Sequence, residues 1–201
     1  MKCETIKCID NKEVTIIDGS VNMQSIIDNY FLCCAMGYKI SNASSTEVQG
    51  IVDRRLKCDI DTNHPIIENL LKEKSSSYQA IRKYISSERY GFCRAYINLG
   101  IHGDVNQMHL DGNIDCKTIL YYANKHWEYN WGGNTIFYDD NGNSKVNVEV
   151  KPGRMVIFDG AIPHTVMPMN PRCSPSYRFT VALKFEDSTQ DKFKNNNPKL
   201  G

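Results

Sequence analysis

The chain has 201 residues, enough for one domain of ordinary size with its own core. Its 24 basic and 23 acidic side chains nearly cancel, and no long block of like charge could track a nucleic-acid backbone, which disfavours nucleic acid as a partner. No stretch is long and apolar enough to span a bilayer and no apolar leader opens the sequence, so we expect a cytoplasmic protein with no membrane partner and mostly free cysteines.

The N-terminal part predicts a hairpin followed by a helix. Residues 2–18 contain two β-branched runs around a turn-forming segment, so we expect a hairpin at the edge of a sheet. Ser20 is typical of an N-cap, and apolar side chains recur at helical spacing over about 21–36. Residues 41–50 are rich in Ser, Asn and Thr, which indicates a loop.

Two short helices and then a series of strands are predicted next. Pro65 suits the first turn of a helix over about 65–73, and a second helix over about 78–85 follows. Beyond residue 90 the pattern changes to short β-branched and aromatic runs. The predicted strands lie at about 92–98, 107–111, 117–123, 134–138, 146–150, 154–158, 164–168 and 177–185.

Eight strands favour a double-sheet jelly roll, so the expected fold is mainly β with supporting α-helices. We expect one domain over residues 1–186, with helical support over about 20–90 and the jelly-roll core over about 91–186. Residues 187–201 are polar and have little to bury, so they are predicted to be a disordered tail.

A His-x-Asp pair, His109 and Asp111, lies on one of the predicted strands. Side chains on a strand alternate with period two, so these two point to the same face. If a later strand brings His164 alongside, the three form the two-histidine, one-carboxylate set that holds non-haem Fe(II) with open positions. An open iron site implies oxygen chemistry.

A second His-x-Asp pair, His102 and Asp104, competes with the first. Gly100 and Gly103 interrupt strand pairing around it, whereas residues 107–111 read as extended chain, so His109 and Asp111 are favoured as the metal clamp. His102 and Asp104 are then expected on a loop near the metal, either as a solvated turn or in contact with substrate.

Two arginines are candidates for binding the carboxylate of an organic acid. Arg172 lies in a proline-rich loop, whereas Arg178 lies on a predicted strand and offers a planar, two-pronged donor. Thr180 and Ala182 share the face of Arg178 if the strand is regular, and their small side chains leave room for a bound diacid.

These residues resemble the prolyl-hydroxylase branch of the 2-oxoglutarate- and Fe(II)-dependent dioxygenases. The resemblance covers about residues 90–186 in motif detail and depends on five features: the run Thr118–Lys125, Trp127, the pair Gly132 and Gly133, the run Pro152–Arg154, and Pro163 followed by His164. It implies a double-stranded β-helix, a jelly-roll variant, and it places the second metal-binding histidine at His164.

The resemblance also implies the co-substrates. Fe(2+) would bind 2-oxoglutarate and O2, and the reaction would convert 2-oxoglutarate to succinate and CO2 while a substrate is hydroxylated; ascorbate is a further candidate cofactor. The hydroxyl of Tyr122 would join Arg178 at the distal carboxylate, and Tyr96 would reach the same co-substrate. Plain packing is the alternative for both tyrosines.

The implied substrate is a prolyl residue of a peptide or protein, with a free amino acid as the nearest alternative. The spacing of Arg172 and Arg178 also resembles the nucleic-acid-repair demethylases of the same superfamily, so a nucleobase demethylase is a third hypothesis. A non-catalytic cupin-like binding module is the rival from another class. Loss of a ligand or of the basic anchor would have indicated such a module, and all four positions are filled.

Overall fold

The computed structural model describes residues 2–9, 12–42, 54–104, 106–172 and 177–189. The helices in these ranges are α1 (Met23–Ala35), α2 (Pro65–Leu71) and α3 (Ser76–Arg82), with a 3-10 turn at Tyr129–Trp131. The strands are β1 (Lys2–Ile9), β2 (Lys12–Asp18), β3 (Lys39–Asn42), β4 (Arg54–Ile60), β5 (Tyr90–Ile101), β6 (Cys116–Tyr122), β7 (Thr135–Tyr138), β8 (Ser144–Val148), β9 (Met155–Asp159), β10 (His164–Val166) and β11 (Tyr177–Asp187).

The strands form two antiparallel sheets. The major sheet has the order β1-β2-β9-β6-β11-β5-β4-β3, and the minor sheet has the order β10-β7-β8. β11 lies between β5 and β6 and pairs with both along most of its length. The predicted hairpin, β1 and β2, lies at one edge of the major sheet, as expected. The predicted mainly-β jelly roll with supporting helices is thus confirmed.

Both faces of the major sheet are buried. On its outer face the helices cover an apolar core that includes Ile26, Leu70, Ile81, Ile119 and Leu183. On its inner face a second core faces the minor sheet and includes Leu120, Tyr122, Phe137, Val146 and Phe158. Successive residues of β6 therefore belong to opposite cores, which confirms the period-two assignment that separated Tyr121 from Tyr122.

The first helix begins two residues later than the sequence suggested. Its N-cap is Asn22, whose side-chain oxygen accepts a hydrogen bond of 2.9 Å from the backbone N–H of Ser25. Ser20 is buried, and its hydroxyl has no hydrogen-bond partner among the described residues. Asn and Ser are comparable N-caps, so residue type alone did not distinguish the two positions.

One strand prediction was wrong, and two strands were not predicted. Residues 107–111 form no strand; His109 makes a single bridge to His164 instead. β3 and β4 were not predicted; β4 lacks the apolar alternation of a half-buried strand, because Lys57 and Asp59 lie on the face that carries Tyr96 and Asn98 of β5. The loop prediction for residues 41–50 falls mostly outside the described residues, apart from the end of β3.

The C-terminal strand extends further than predicted. Asp187 belongs to β11 and accepts a hydrogen bond of 2.6 Å from Nε of Arg89, so it is not part of a tail. The tail prediction for residues 190–201 lies outside the described residues. The cysteines that the structure describes are free. No helix in the described ranges has the length and apolar character needed to cross a membrane.

Candidate active site

Three side chains from two segments meet beside the inner core. Nε2 of His109 lies 3.8 Å from one carboxylate oxygen of Asp111, and Nε2 of His164 lies 3.6 Å from the other. One candidate ligand atom from each of the three residues lies within 4.8 Å of the others. Two imidazole nitrogens and one carboxylate oxygen suit a divalent transition metal such as Fe(II). The structure thus brings together the three residues that the sequence singled out.

Backbone hydrogen bonds hold the two histidines side by side. The N–H of His109 donates to the carbonyl of His164, and the N–H of His164 donates to the carbonyl of His109, each at 3.0 Å. The amides of Asp111 and Gly112 both donate to the carbonyl of Gly160, at 2.9 and 3.1 Å. The segment is fixed at these two points without a continuous strand ladder, and this leaves His109 and Asp111 on the same side of the chain.

The outer nitrogen of each imidazole contacts a backbone carbonyl. Nδ1 of His109 lies 3.0 Å from the carbonyl oxygen of Gln107, and Nδ1 of His164 lies 3.0 Å from that of Ile162. A carbonyl only accepts, so Nδ1 carries a proton in both rings and Nε2 is the nitrogen available to a metal. A hydrogen bond of this kind orients a histidine for metal binding. Both Nε2 atoms therefore face Asp111 ready to coordinate a metal.

Asp111 is also paired with a buried lysine that the sequence analysis did not identify. The ammonium of Lys184 contacts a carboxylate oxygen of Asp111 and donates a hydrogen bond of 2.9 Å to the hydroxyl of Thr118. Burial would raise the pKa of Asp111, but His164 and Lys184 outweigh it and hold that pKa well below its usual range. Burial lowers the pKa of Lys184, and Asp111 opposes that effect. The carboxylate is therefore ionised and kept in one orientation.

Arg178 is a buried cation at another point of the same cavity. Its side chain is 4% exposed, and it has no carboxylate partner among the described residues. Nη2 donates to the hydroxyl of Thr135 at 3.3 Å, while Nε is buried without a hydrogen-bond partner in the described part of the chain. Desolvation lowers the pKa of Arg178. A buried charge with unmet donors is costly, so this site favours an anionic ligand.

Tyr122 lies behind this arginine and does not line the cavity. Its hydroxyl is 2.8 Å from the hydroxyl of Thr135, and the Arg178 guanidinium lies 5.2 Å from the centre of its ring. Gly133 allows the arginine to pass, because a Cβ at that position would lie 2.9 Å from Cδ of Arg178. Tyr122 and Thr135 thus contact the guanidinium of Arg178, which also lines the cavity.

The cavity connects the arginine to the three clustered residues. It encloses about 620 Å³, part of it open to solvent. Its lining includes Tyr96, Asn98, Asp104, His109, Asp111, Leu120, His164 and Arg178. Thr180 is buried and pairs in register with Asn98 and Tyr122, so it lies beside the cavity, on the same face of β11 as Arg178.

None of the competing candidates belongs to the described three-residue cluster. His102 is in the turn after β5, and it is absent from both the described cavity lining and the described three-residue cluster. Asp104 lines the cavity and accepts a hydrogen bond of 2.8 Å from the amide of Ile101, so it shapes the turn and faces the site. Arg172 is exposed. Exposed His126 pairs with Glu128 at 2.8 Å.

Three functional positions were missed: Lys184, Thr135 and Asn98. A signal was present for two of them, because Lys184 shares the period-two face of Arg178 on β11 and Asn98 shares that of Tyr96 on β5. Thr135 gave no signal, since its position depends on how β7 packs across the inner core.

The model of the 2OG-Fe(II) oxygenase superfamily matches residues 90–185. This segment contains the clustered histidines and aspartate together with Arg178. Comparison with curated proteins gives no significant match.

Solved structures share the fold at low sequence identity. A prolyl hydroxylase from Trichoplax adhaerens, in complex with a hypoxia-inducible-factor peptide fragment, is 17% identical, with 92% of this chain and 87% of that chain covered and a TM-score of 0.64. A Pseudomonas putida prolyl-4-hydroxylase is 16% identical, with coverages of 86% and 91% and a TM-score of 0.65. HygX from Streptomyces hygroscopicus, solved with nickel and 2-oxoglutarate, is 9% identical, with coverages of 87% and 83% and a TM-score of 0.61. The chain is thus similar to the 2OG-Fe(II) oxygenase superfamily over residues 90–185, and it shares the fold of these solved structures.

Proposed function

We propose that this protein binds Fe(II) through His109, Asp111 and His164, holds 2-oxoglutarate through Arg178, and hydroxylates a prolyl residue of a peptide or protein. The observation that carries the proposal is one cavity lined by two different groups. The first is the cluster of His109, Asp111 and His164, whose candidate ligand atoms lie within 4.8 Å of one another. The second is the buried guanidinium of Arg178, which has no carboxylate partner in the described chain.

Some residues of the cavity would bind the metal and 2-oxoglutarate, and others would hold those binding residues in place. When bound, iron and 2-oxoglutarate supply oxygen activation, with decarboxylation of the 2-oxo acid to succinate. Arg178 would pair with the distal carboxylate by its two-pronged donor, supported from behind by Thr135 and Tyr122. We assign Tyr122 this supporting role, with Tyr96 on the cavity wall, and Thr180 contributes a small side chain.

A peptide substrate is supported by the surface around the metal-binding cluster. Met108, Leu110 and Ile114 flank His109 and Asp111 in sequence and are 54%, 55% and 58% exposed. An apolar rim beside an open polar cavity favours contact with a partner molecule. Prolyl hydroxylases are among the structural neighbours, and the Trichoplax protein was solved with a peptide.

We expect His109→Ala and His164→Ala each to weaken Mn(II) binding more than about tenfold, since two protein ligands do not hold an octahedral ion well. His102→Ala is the matched control and should bind normally. Metal titration followed by electron paramagnetic resonance measures the three affinities. Loss of binding in His102→Ala with retention in His109→Ala would assign the clamp to the other His-x-Asp pair.

Arg178→Ala should weaken 2-oxoglutarate binding by about 2–5 kcal/mol, roughly thirtyfold or more, because a desolvated carboxylate loses its partner. Arg172→Ala removes an exposed guanidinium and should have little effect. Calorimetric titration of the Mn(II)-loaded proteins compares them. Equal losses in both variants would mean that Arg172 shares the role, as the demethylase hypothesis requires.

Lys184→Met should destabilise metal-free protein by about 3–5 kcal/mol, because the Asp111 carboxylate stays buried without its partner. A bound metal compensates that charge, so Mn(II) should raise the melting temperature of the variant by more than it raises that of the wild type. Lys117→Met, which removes the 2.5 Å pair with Asp159, is the control and should lose the same stability with and without metal. A metal-independent loss in Lys184→Met would reduce Lys184 to a packing residue.

With Fe(II), 2-oxoglutarate and O2, proline-containing peptides should release succinate and gain the mass of one oxygen. Free amino acids and alkylated oligonucleotides, supplied separately, should not. Coupled turnover of free proline alone would replace the peptide by an amino acid while keeping the reaction. Demethylation of the oligonucleotides would contradict the prolyl-hydroxylase assignment itself.

A further inference from the structure

Three cations surround one tyrosine of the cavity wall. The centre of the Tyr96 ring lies 4.4 Å from Nζ of Lys57, 5.8 Å from the guanidinium carbon of Arg94 and 5.9 Å from Nζ of Lys184. They come from β4, β5 and β11, which are neighbours in the major sheet. Arg94 and Lys184 are directly opposite each other in the register. The positive charge is therefore concentrated on the inner face beside the proposed metal site.

The three cations are not equally neutralised. Lys184 is bound to Asp111 and Thr118, and Lys57 pairs at 2.7 Å with Asp59, whose side chain is 76% exposed. Arg94 is exposed and has no carboxylate partner among the residues that the structure describes. A pair whose carboxylate is exposed to solvent, as in that of Lys57, contributes little and is easily exchanged. Arg94 is thus the donor most open to a ligand, with Lys57 next to it.

Loading the site does not remove this positive charge. The charge of Fe(II) is opposed by Asp111 and by the two carboxylates of 2-oxoglutarate, and Arg178 brings that set to zero. Lys57 and Asp59 also cancel each other. Asp104, which lines the cavity, offsets one of the two remaining cations, Lys184 and Arg94, so one net positive charge remains beside the cavity. Like charge on a substrate would be repelled there, and an anion would be attracted.

We propose that Arg94 and Lys57 form a subsite for a carboxylate of the substrate, and this rests on the proposed function. A guanidinium recognises a carboxylate by two parallel hydrogen bonds. Arg94 lies one strand away from Lys184, which touches Asp111, and an extended peptide advances about 3.3 Å per residue. The carboxylate therefore belongs about one or two residues from the hydroxylated proline. An acidic side chain in a peptide is one source of it, and the terminal carboxylate of a free amino acid is the other.

The test uses peptides that differ only beside the proline, with Glu, Gln or Lys, together with free proline. Binding is measured by fluorescence or calorimetry on Mn(II)- and 2-oxoglutarate-loaded protein, and turnover is measured with Fe(II). The Glu peptide should bind about tenfold or more tightly than the Gln peptide, and added salt should reduce the difference. Tighter binding of free proline than of the Glu peptide would instead identify an α-carboxylate as the ligand of the subsite.

Arg94→Gln should abolish the preference for Glu over Gln, and Arg94→Glu should favour the Lys peptide. Arg82→Gln is the matched control, because the Arg82 guanidinium also lies over a tyrosine, Tyr78, at 5.1 Å but on α3. Equal binding of the three peptides by the wild type, or no binding of any ligand, would overturn the subsite. Turnover of all peptides alike would overturn the subsite and leave the proposed function standing. Charge-selective binding without turnover would support the subsite and contradict the proposed function.

Discussion

Two buried cations on one strand determine the polarity of the site. Arg178 and Lys184 are on the same face of β11, which is paired on both sides along most of its length, and they are 4% and 5% exposed. Removing a cation from water is expensive, so each one requires an anion or a set of acceptors nearby. Lys184 has Asp111. Arg178 has the hydroxyl of Thr135 and the side chain of Tyr122 beside it but no carboxylate among the described residues, which makes it the place where a carboxylate ligand gains most.

The metal-binding cluster depends on a different constraint, the backbone bridge between His109 and His164. Two reciprocal hydrogen bonds of 3.0 Å fix the position of His109 relative to His164. The carbonyl contacts of both Nδ1 atoms then fix the ring orientations. The geometry of the proposed ligands is therefore a backbone property. A flexible loop at this position would lose chain entropy each time a metal bound, whereas a bridged segment is already ordered.

The sequence predicted the parts of this site that follow from local periodicity. Alternation along the chain placed His109 with Asp111, and the strand pattern favoured Arg178 over Arg172 as the inward arginine. Residues 107–111 were wrongly given a strand, since an extended segment held by one bridge has the same local pattern as a laddered one. The family resemblance was needed to single out His164, because a lone histidine has no periodic signal.

Side-chain pairs between residues far apart in sequence could not be predicted either, because they too have no periodic signal. The period-two face that Lys184 shares with Arg178 indicates an inward side chain, but it does not indicate that the ammonium is paired with Asp111, and a lysine is ordinarily exposed. β4 was missed because the residues on its inner face include Lys57 and Asp59, which form an ion pair, instead of apolar side chains. Hydrophobic periodicity does not predict polar side chains that point inward. These side chains are the ones that give a site its chemistry.

The pairing of Asp111 with Lys184 also bears on how metal and 2-oxoglutarate would occupy the proposed site together. Both histidines are held by neutral carbonyls, so Asp111 is the only anion in the described cluster, and Lys184 already shares its charge. A nearly neutral donor set attracts a divalent ion less strongly than an isolated carboxylate would. The missing negative charge comes from the organic diacid, whose other end is bound at Arg178. On the proposed assignment, metal and co-substrate each improve the binding of the other, and this coupling is reciprocal.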